Sequence, residues 1–354
     1  AQRTVDLRRA ANTVRGLAMD AVQKANSGHP GMPMGMADVA CCLWLEHLRF
    51  CNDDPHWPDR DRFVLSAGHG SMLQYALLHL AGYELSLDDL RQFRQLHSKT
   101  PGHPELGVTQ GVETSTGPLG QGFANAVGMA LAARMEAARF GCPLLDAHRV
   151  FVVVSDGDMM EGIAAEAASL AGHLRLSNLV LLYDDNRITI DGATSLAFTE
   201  DVCARFASYG WRVLSIDDAH DPAAVRTALA AATAASSVPT FVRCRTHIGF
   251  GSPGKQDTAS AHGSPLGADE IAATRQALGW AAEPFDVPSD ILDAWRLAGL
   301  RSGKERKEWE KRLGAADPEL RAELERRMAG DLPGDLEPAL ADYKRTLVAD
   351  KPKV

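Results

Sequence analysis

Two acidic clusters at the ends of apolar runs hold the densest chemistry in the sequence. Val153-Val154-Ser155-Asp156-Gly157-Asp158 closes one β-branched run, and Tyr183-Asp184-Asp185-Asn186-Arg187-Ile188 closes another. Asp156 and Asn186 stand about 30 residues apart, the length of one strand-helix-strand unit. Oxygen-bearing side chains on two neighbouring strand ends can share a hard cation, and the cation can bridge a diphosphate. Each cluster by itself is ordinary turn chemistry. At this spacing they face the crevice outside the carboxyl ends of parallel strands, where open α/β sheets bind ligands. A calcium-binding EF-hand does not account for the second cluster, because Ile188 falls where the fifth ligand belongs and Thr189 where glycine is needed.

Two further features belong to loops. The stretch Ser115-Thr116-Gly117-Pro118-Leu119-Gly120-Gln121-Gly122 precedes a long helical pattern. Its small residues let a ligand approach the backbone while helix N–H groups face an anion. It is neither a GxGxxG fingerprint nor a P-loop, so nicotinamide and ATP readings lose their main support. Four of the 12 histidines, His29, His69, His103 and His262, stand beside glycine in loop-like contexts. Imidazoles over a strand-end crevice can donate to sugar hydroxyls and move protons near neutral pH. One such histidine is ordinary surface chemistry, whereas four in one setting point to a polar, hydrogen-bonding substrate.

The elements that must position these residues are legible as alternating patterns. Near-continuous apolar runs at 62–66, 150–154, 179–183, 211–216 and 240–244 predict strands of a parallel sheet covered on both faces. Helical periodicity runs from Val5 to Ala25 and over 34–48, 122–140, 163–174 and 222–235. The fold class is therefore α/β: a doubly wound, mainly parallel sheet with helices on both faces. After about Trp280 the sequence becomes Pro-punctuated and strongly charged, as in the run from Arg301 through Ser302 to Arg312, which reads as exposed helices rather than a second core. The division is an α/β domain over 1–280 and a charged helical extension and linker over 281–354.

Composition excludes several classes. The 354 residues are 45% hydrophobic and 23% charged, as in ordinary globular proteins, not disordered, collagenous or coiled-coil chains. The net charge of −9 argues against a nucleic-acid or anionic-membrane surface. The cysteines Cys41, Cys42, Cys51, Cys142, Cys203 and Cys244 form no CxxC pair, which reads as reduced thiols without a disulfide framework or zinc site. No run reaches about 18 apolar residues and the first residues lack an apolar signal core, so the expected location is cytoplasmic.

Longer stretches carry a resemblance. Lys24-Ala25-Asn26-Ser27-Gly28-His29-Pro30-Gly31, the run from Phe93 to Glu105, Thr116-Gly117-Pro118-Leu119-Gly120-Gln121-Gly122, and Tyr183-Asp184-Asp185-Asn186 with Ile190-Asp191-Gly192 closely resemble transketolase, in the family's order, from about Val5 to Val354. The resemblance implies the thiamine-diphosphate-binding fold, with the cofactor held through Mg²⁺ or Ca²⁺ on Asp156, Asn186 and the backbone carbonyl of Ile188. It places Gly157, Gly117, Pro118 and Leu119 along the cofactor, with His69 and His262 close to its diphosphate and reactive ring. His29, His103 and His262 would contact the sugar and carry the catalytic proton handling. Glu161 and Glu166 match positions that link the two active sites across a dimer; as residues alone they read as helix-start carboxylates. The implied reaction transfers a two-carbon ketol unit from a ketose phosphate to an aldose phosphate, in the pentose phosphate pathway.

The chain departs from the family pattern at Ser155, where Gly begins Gly-Asp-Gly, at Ala67, where Asn precedes Gly-His, and at Asp158, where Cys is usual. A carboxylate at 158 would oppose a diphosphate unless it pairs or points away. The family's pyrimidine-binding and C-terminal domains are not in this sequence. The expectation is a diphosphate-binding half, inactive by itself, whose partner is a pyrimidine-binding half on a separate subunit or a longer chain, in a homodimer or heterotetramer. A related ketol transferase resembling dihydroxyacetone synthase, or a non-catalytic thiamine-diphosphate-binding subunit, are the alternatives.

Overall fold

Alternation along the strands sorts the core into two layers. In the computed structural model, which describes residues 6–141, 144–145, 148–301 and 303–353, the apolar runs become β1 (Arg62–Leu65), β2 (Val150–Ser155), β3 (Leu179–Asp185), β6 (Arg212–Ile216) and β7 (Thr240–Arg245). Val5, Cys142, Ser302 and Val354 lie outside the described residues. All neighbours pair in parallel, in the order β1-β2-β3-β7-β6. Phe151, Val153, Val180, Leu182 and Val242 face one apolar cluster, and Val150, Val152, Val154, Leu179, Leu181 and Phe241 face the other. Successive side chains of a strand point to opposite faces, so both faces must be covered.

The first cluster is closed by α1 (Leu7–Ala25), α2 (Gly31–Cys42), α3 (Ser71–Ala81) and the short α4 (Leu87–Arg91). The second is closed by α5 (Gln121–Phe140), α6 (Asp156–Met160), α7 (Gly162–His173) and α8 (Val202–Ser208). A two-stranded hairpin, β4 (Ile188–Thr189) with β5 (Gly192–Ala193), follows β3. The helix α9 (Pro222–Thr233) packs on the first face and α10 (Ala268–Ala277) follows β7. The helical pattern over 34–48 ends not as one α-helix but with a π-turn, Leu43–His47. The helix α3 is buried all round and lacks the periodic stripe by which a surface helix is read from sequence.

The charged extension forms α11 (Ser289–Arg301), α12 (Gly303–Gly314), α13 (Pro318–Met328) and α14 (Leu336–Asp350). It is exposed along most of its length, but Trp295 enters the first cluster, Trp309 packs with Cys51 and Trp57, and Leu324 packs on Phe140, Leu144 and Leu145. Among the described residues no helix is long and apolar enough to cross a membrane.

Candidate functional site

Strand register brings the two acidic clusters together. Ser155 of β2 is paired with Asp184 of β3, so Asp156 and Asn186 leave adjacent strand ends. The Arg187 backbone N–H donates to Asp156 Oδ2 at 3.0 Å, and the Tyr183 hydroxyl donates to Oδ1. Asp156 thus touches the peptide between Asn186 and Ile188, the other two expected ligand residues. Burial pushes its carboxyl up to about 6, with Asp185 adding to the rise and the two donors opposing it. A carboxylate this far out of water is short of positive charge, which a cation supplies.

Asn186 is oriented from behind. Its Nδ2 donates to Asp184 Oδ2 at 2.9 Å, and its Oδ1 accepts the Ile188 N–H at 2.9 Å, which fixes which end of the amide carries oxygen. Asp184 is fully buried and also accepts from the Thr246 hydroxyl; burial pushes it up to about 7. Its role as orienter is absent from the sequence reading, because Thr246 lies on another strand's end.

Asp158 is paired on both oxygens and pins the glycine-rich loop. Oδ1 accepts from Ser66 Oγ at 2.6 Å and the Gly120 N–H at 2.8 Å, and Oδ2 from the Ser155 N–H at 2.9 Å and Oγ at 3.0 Å. It is fully buried. Two departures from the family pattern, Ser155 and Asp158, therefore contact each other. Leu119 lies over Gly157, where an added Cβ would meet its Cδ1 at 2.9 Å. Gly117 has φ of 140°, open to glycine, and a Cβ there would sit 3.2 Å from the His103 ring. His103, the Gly117-Pro118-Leu119 segment and Gly157 thus form one continuous wall.

Three of the four histidines form a cluster. Ring centroids of His29 and His69 are 5.2 Å apart, those of His29 and His262 5.5 Å, and those of His69 and His262 5.0 Å. Burial, then the neighbouring rings, pushes His29 down to about 4 and His69 well below its ordinary range; burial alone lowers His262. The rings are neutral at neutral pH. Arg94 Nη2 lies 3.2 Å from His29 Nδ1, and Arg94 Nη1 donates to Ser27 Oγ at 2.9 Å. Arginine only donates, so His29 Nδ1 accepts and the ring proton sits on Nε2. Arg94 belongs to the 93–105 stretch, but nothing local in the sequence ties it to a residue 65 positions away.

The loop that carries His262 rests on a buried triad. His220 Nε2 accepts the His247 N–H at 3.1 Å, its Nδ1 lies 3.0 Å from Asp38 Oδ2, and Asp38 is ion-paired with buried Arg15. Glu161 and Glu166 are exposed at and beyond the start of α7, and the Glu161 side chain lies against Gly120 of the glycine-rich loop.

A family described as transketolase, thiamine diphosphate binding domain, matches residues 7–333. The chromosomal transketolase of Cupriavidus necator is 57% identical over 330 residues, 92% of this chain and 49% of that protein. Transketolase 2 of Escherichia coli K12 is 52% identical over 350 residues, 97% and 52% respectively. The solved transketolase from Leishmania mexicana superposes with a TM-score of 0.91 at 46% identity, covering 93% of this chain and 50% of that one. The chain spans about half the length of the curated relatives it matches.

Proposed function

Because the chain belongs to the transketolase family and matches its thiamine-diphosphate-binding domain, we propose that it is the diphosphate-binding half of a ketol transferase acting from a ketose phosphate to an aldose phosphate. The observation that carries this reading is the strand-end crevice itself, with its under-neutralised Asp156 carboxylate and neutral imidazole cluster. Solved transketolases of Pichia stipitis carry xylulose-5-phosphate and sedoheptulose-7-phosphate, in support of sugar phosphates as substrates.

Asp156, the Asn186 side-chain oxygen and the Ile188 carbonyl would hold Mg²⁺ or Ca²⁺. Gly117, Pro118, Leu119, Gly157, His69 and His262 would line the cofactor. The residues present fit such a group: the Thr116 hydroxyl is buried without a partner beside Gly117, and burial holds the Asp156 carboxyl raised even with Arg245 acting against it. When bound, thiamine diphosphate supplies the electron sink for cleaving the bond next to the donor carbonyl. His29, its proton fixed on Nε2 by Arg94, can donate to a sugar oxygen without first gaining charge. His262 would share that proton handling and His103 would hold a hydroxyl at the wall of the crevice. Glu161 and Glu166, both exposed, would meet a second copy in a homodimer or a heterotetramer with a pyrimidine-binding half. The free cysteines among the described residues accord with a cytoplasmic setting.

Calorimetry tests this. The 354-residue chain should bind thiamine diphosphate in the presence of Mg²⁺, and Asp156→Ala should lose that binding while its circular dichroism is unchanged. Ketol transfer should appear only when a pyrimidine-binding half is supplied. Unchanged affinity in Asp156→Ala, or robust turnover by the chain alone, would overturn the reading.

A further inference from the structure

The opposite pole of the sheet has its own donor cluster. Leu43–His47 is a π-turn closed by the Leu48 N–H on the Leu43 carbonyl at 2.8 Å. In an α-helix, residues five apart point about 140° away from each other. A π-turn holds one more residue per turn, so positions four and five onward both fall beside the first. Glu46 and His47 are thereby set beside Cys42, and one donor atom from each of the three lies within 4.8 Å of the others. Cys42 Sγ is 3.9 Å from Glu46 Oε2. Atoms bound at ~2.0–2.3 Å to one tetrahedral zinc ion are about 3.3–3.8 Å apart, so small side-chain rotations close the set.

We propose that Cys42, Glu46 and His47 form a binding site for a borderline-soft divalent cation of the zinc class. A thiolate, an imidazole and a carboxylate are the donors that such an ion takes, and three protein ligands leave a fourth position for water. Access comes from a cavity of about 660 Å³ that Glu46 and His47 line with Asp61, Arg149, Asn178 and Ser236. Those last four residues precede β1, β2, β3 and β7, which sets the site at the pole away from the crevice.

The surroundings orient the three donors, with arginines on the far side of Glu46 and His47. Burial, Arg301 and Arg149 lower the His47 pKa against the pull of Glu46. The Thr233 hydroxyl lies 3.4 Å from His47 Nδ1 and steadies the ring. Arg226 Nε donates to Glu46 Oε1 at 2.9 Å and reaches Oε2 at 3.2 Å, and its Nη2 is 2.9 Å from Oε1. Oε1 can keep Arg226 while Oε2, nearer the sulfur, turns to the cation. Without an ion, burial and Glu46 hold the Cys42 thiol up to about 12. Binding therefore forms a sulfur–metal bond, breaks the S–H bond and releases that proton to water, with no change of oxidation state.

Cobalt reports the ligand set directly. The chelator-treated 354-residue chain should take up one equivalent of Co²⁺ with a thiolate-to-cobalt charge-transfer band that Zn²⁺ then bleaches. Cys42→Ser should lack the band, and both Cys42→Ser and His47→Gln should bind Zn²⁺ at least about 100-fold more weakly, beyond the effect of losing an outer-shell partner. Asp156→Asn, at the other pole, should keep the band. A wild-type chain without the band, or a band that survives in Cys42→Ser, overturns the proposal. If Cys42→Ser fails to fold by circular dichroism, unchanged zinc affinity in a folded His47→Gln overturns it equally.

Discussion

Removing the Asp158 carboxylate should loosen the crevice from inside the core. Asp158→Ala leaves four donors without their acceptor: the Gly120 and Ser155 N–H groups and the Ser66 and Ser155 hydroxyls. Hydroxyls can rotate to new partners, but backbone N–H groups are fixed. Two orphaned, buried N–H groups cost about 1–3 kcal/mol each, or about 2–6 together. Part of this is offset, because burial raises the Asp158 pKa and the lost charge no longer has to be kept out of water. The expected net loss is about 2–4 kcal/mol, which lowers a urea midpoint by roughly 1 M at slopes of a few kcal/mol per molar. The Gly117–Gly120 loop should loosen in step and thiamine diphosphate affinity fall. Because among the described residues the Ser155 hydroxyl donates only to Asp158, a cycle with Ser155→Ala should show coupling of about 0.5–3 kcal/mol. A loss below about 0.5 kcal/mol for Asp158→Ala, or strict additivity in the cycle, would refute the clamp.

At Gly68 an added Cβ would lie 2.6 Å from Thr116 Oγ1 and 2.7 Å from the Gly117 nitrogen. Gly68→Ala should therefore cost about 1–3 kcal/mol by overpacking and weaken cofactor binding by moving the loop; unchanged calorimetric affinity would remove this loop from the site. Acid should act through His29. Its folded pKa of about 4 lies below the unfolded value near 6.5, so the unfolded chain binds more protons between those limits. The stability due to its neutral ring is complete above about 6.5 and is lost as pH falls toward about 4. Wild-type stability should therefore drop more steeply over that window than that of His29→Gln, by up to ~1.4 kcal/mol per pH unit; equal slopes in urea titrations would contradict the burial of this ring.

The sheet was legible in the sequence because parallel strands covered on both faces are apolar along their whole length, and all five runs became its strands. The crevice followed from Asp156 and Asn186, since strand ends one crossover apart come to lie side by side. What stayed hidden were long-range partners. Asp158 looked like a liability because Ser66, its closest donor, is 92 residues away. Asp184 looked like a turn residue because its work is done on Asn186 and Thr246 inside the fold. The helix α3 went unread because a fully buried helix has no polar face to set its period. The π-turn went unread because local propensity does not separate it from the α-helix that precedes it.

Sealing both faces of the sheet has a consequence for how such a molecule can change over generations. With helices over each face, new chemistry has room only at the two ends of the strands. The six residues of β2 hold those ends about 20 Å apart. Across such a distance, with no shared partners, the effects of substitutions add almost independently. The end bearing Cys42, Glu46 and His47 can therefore drift, acquire a ligand or lose one without disturbing the imidazoles at the other, so one scaffold offers its lineage two separately heritable surfaces.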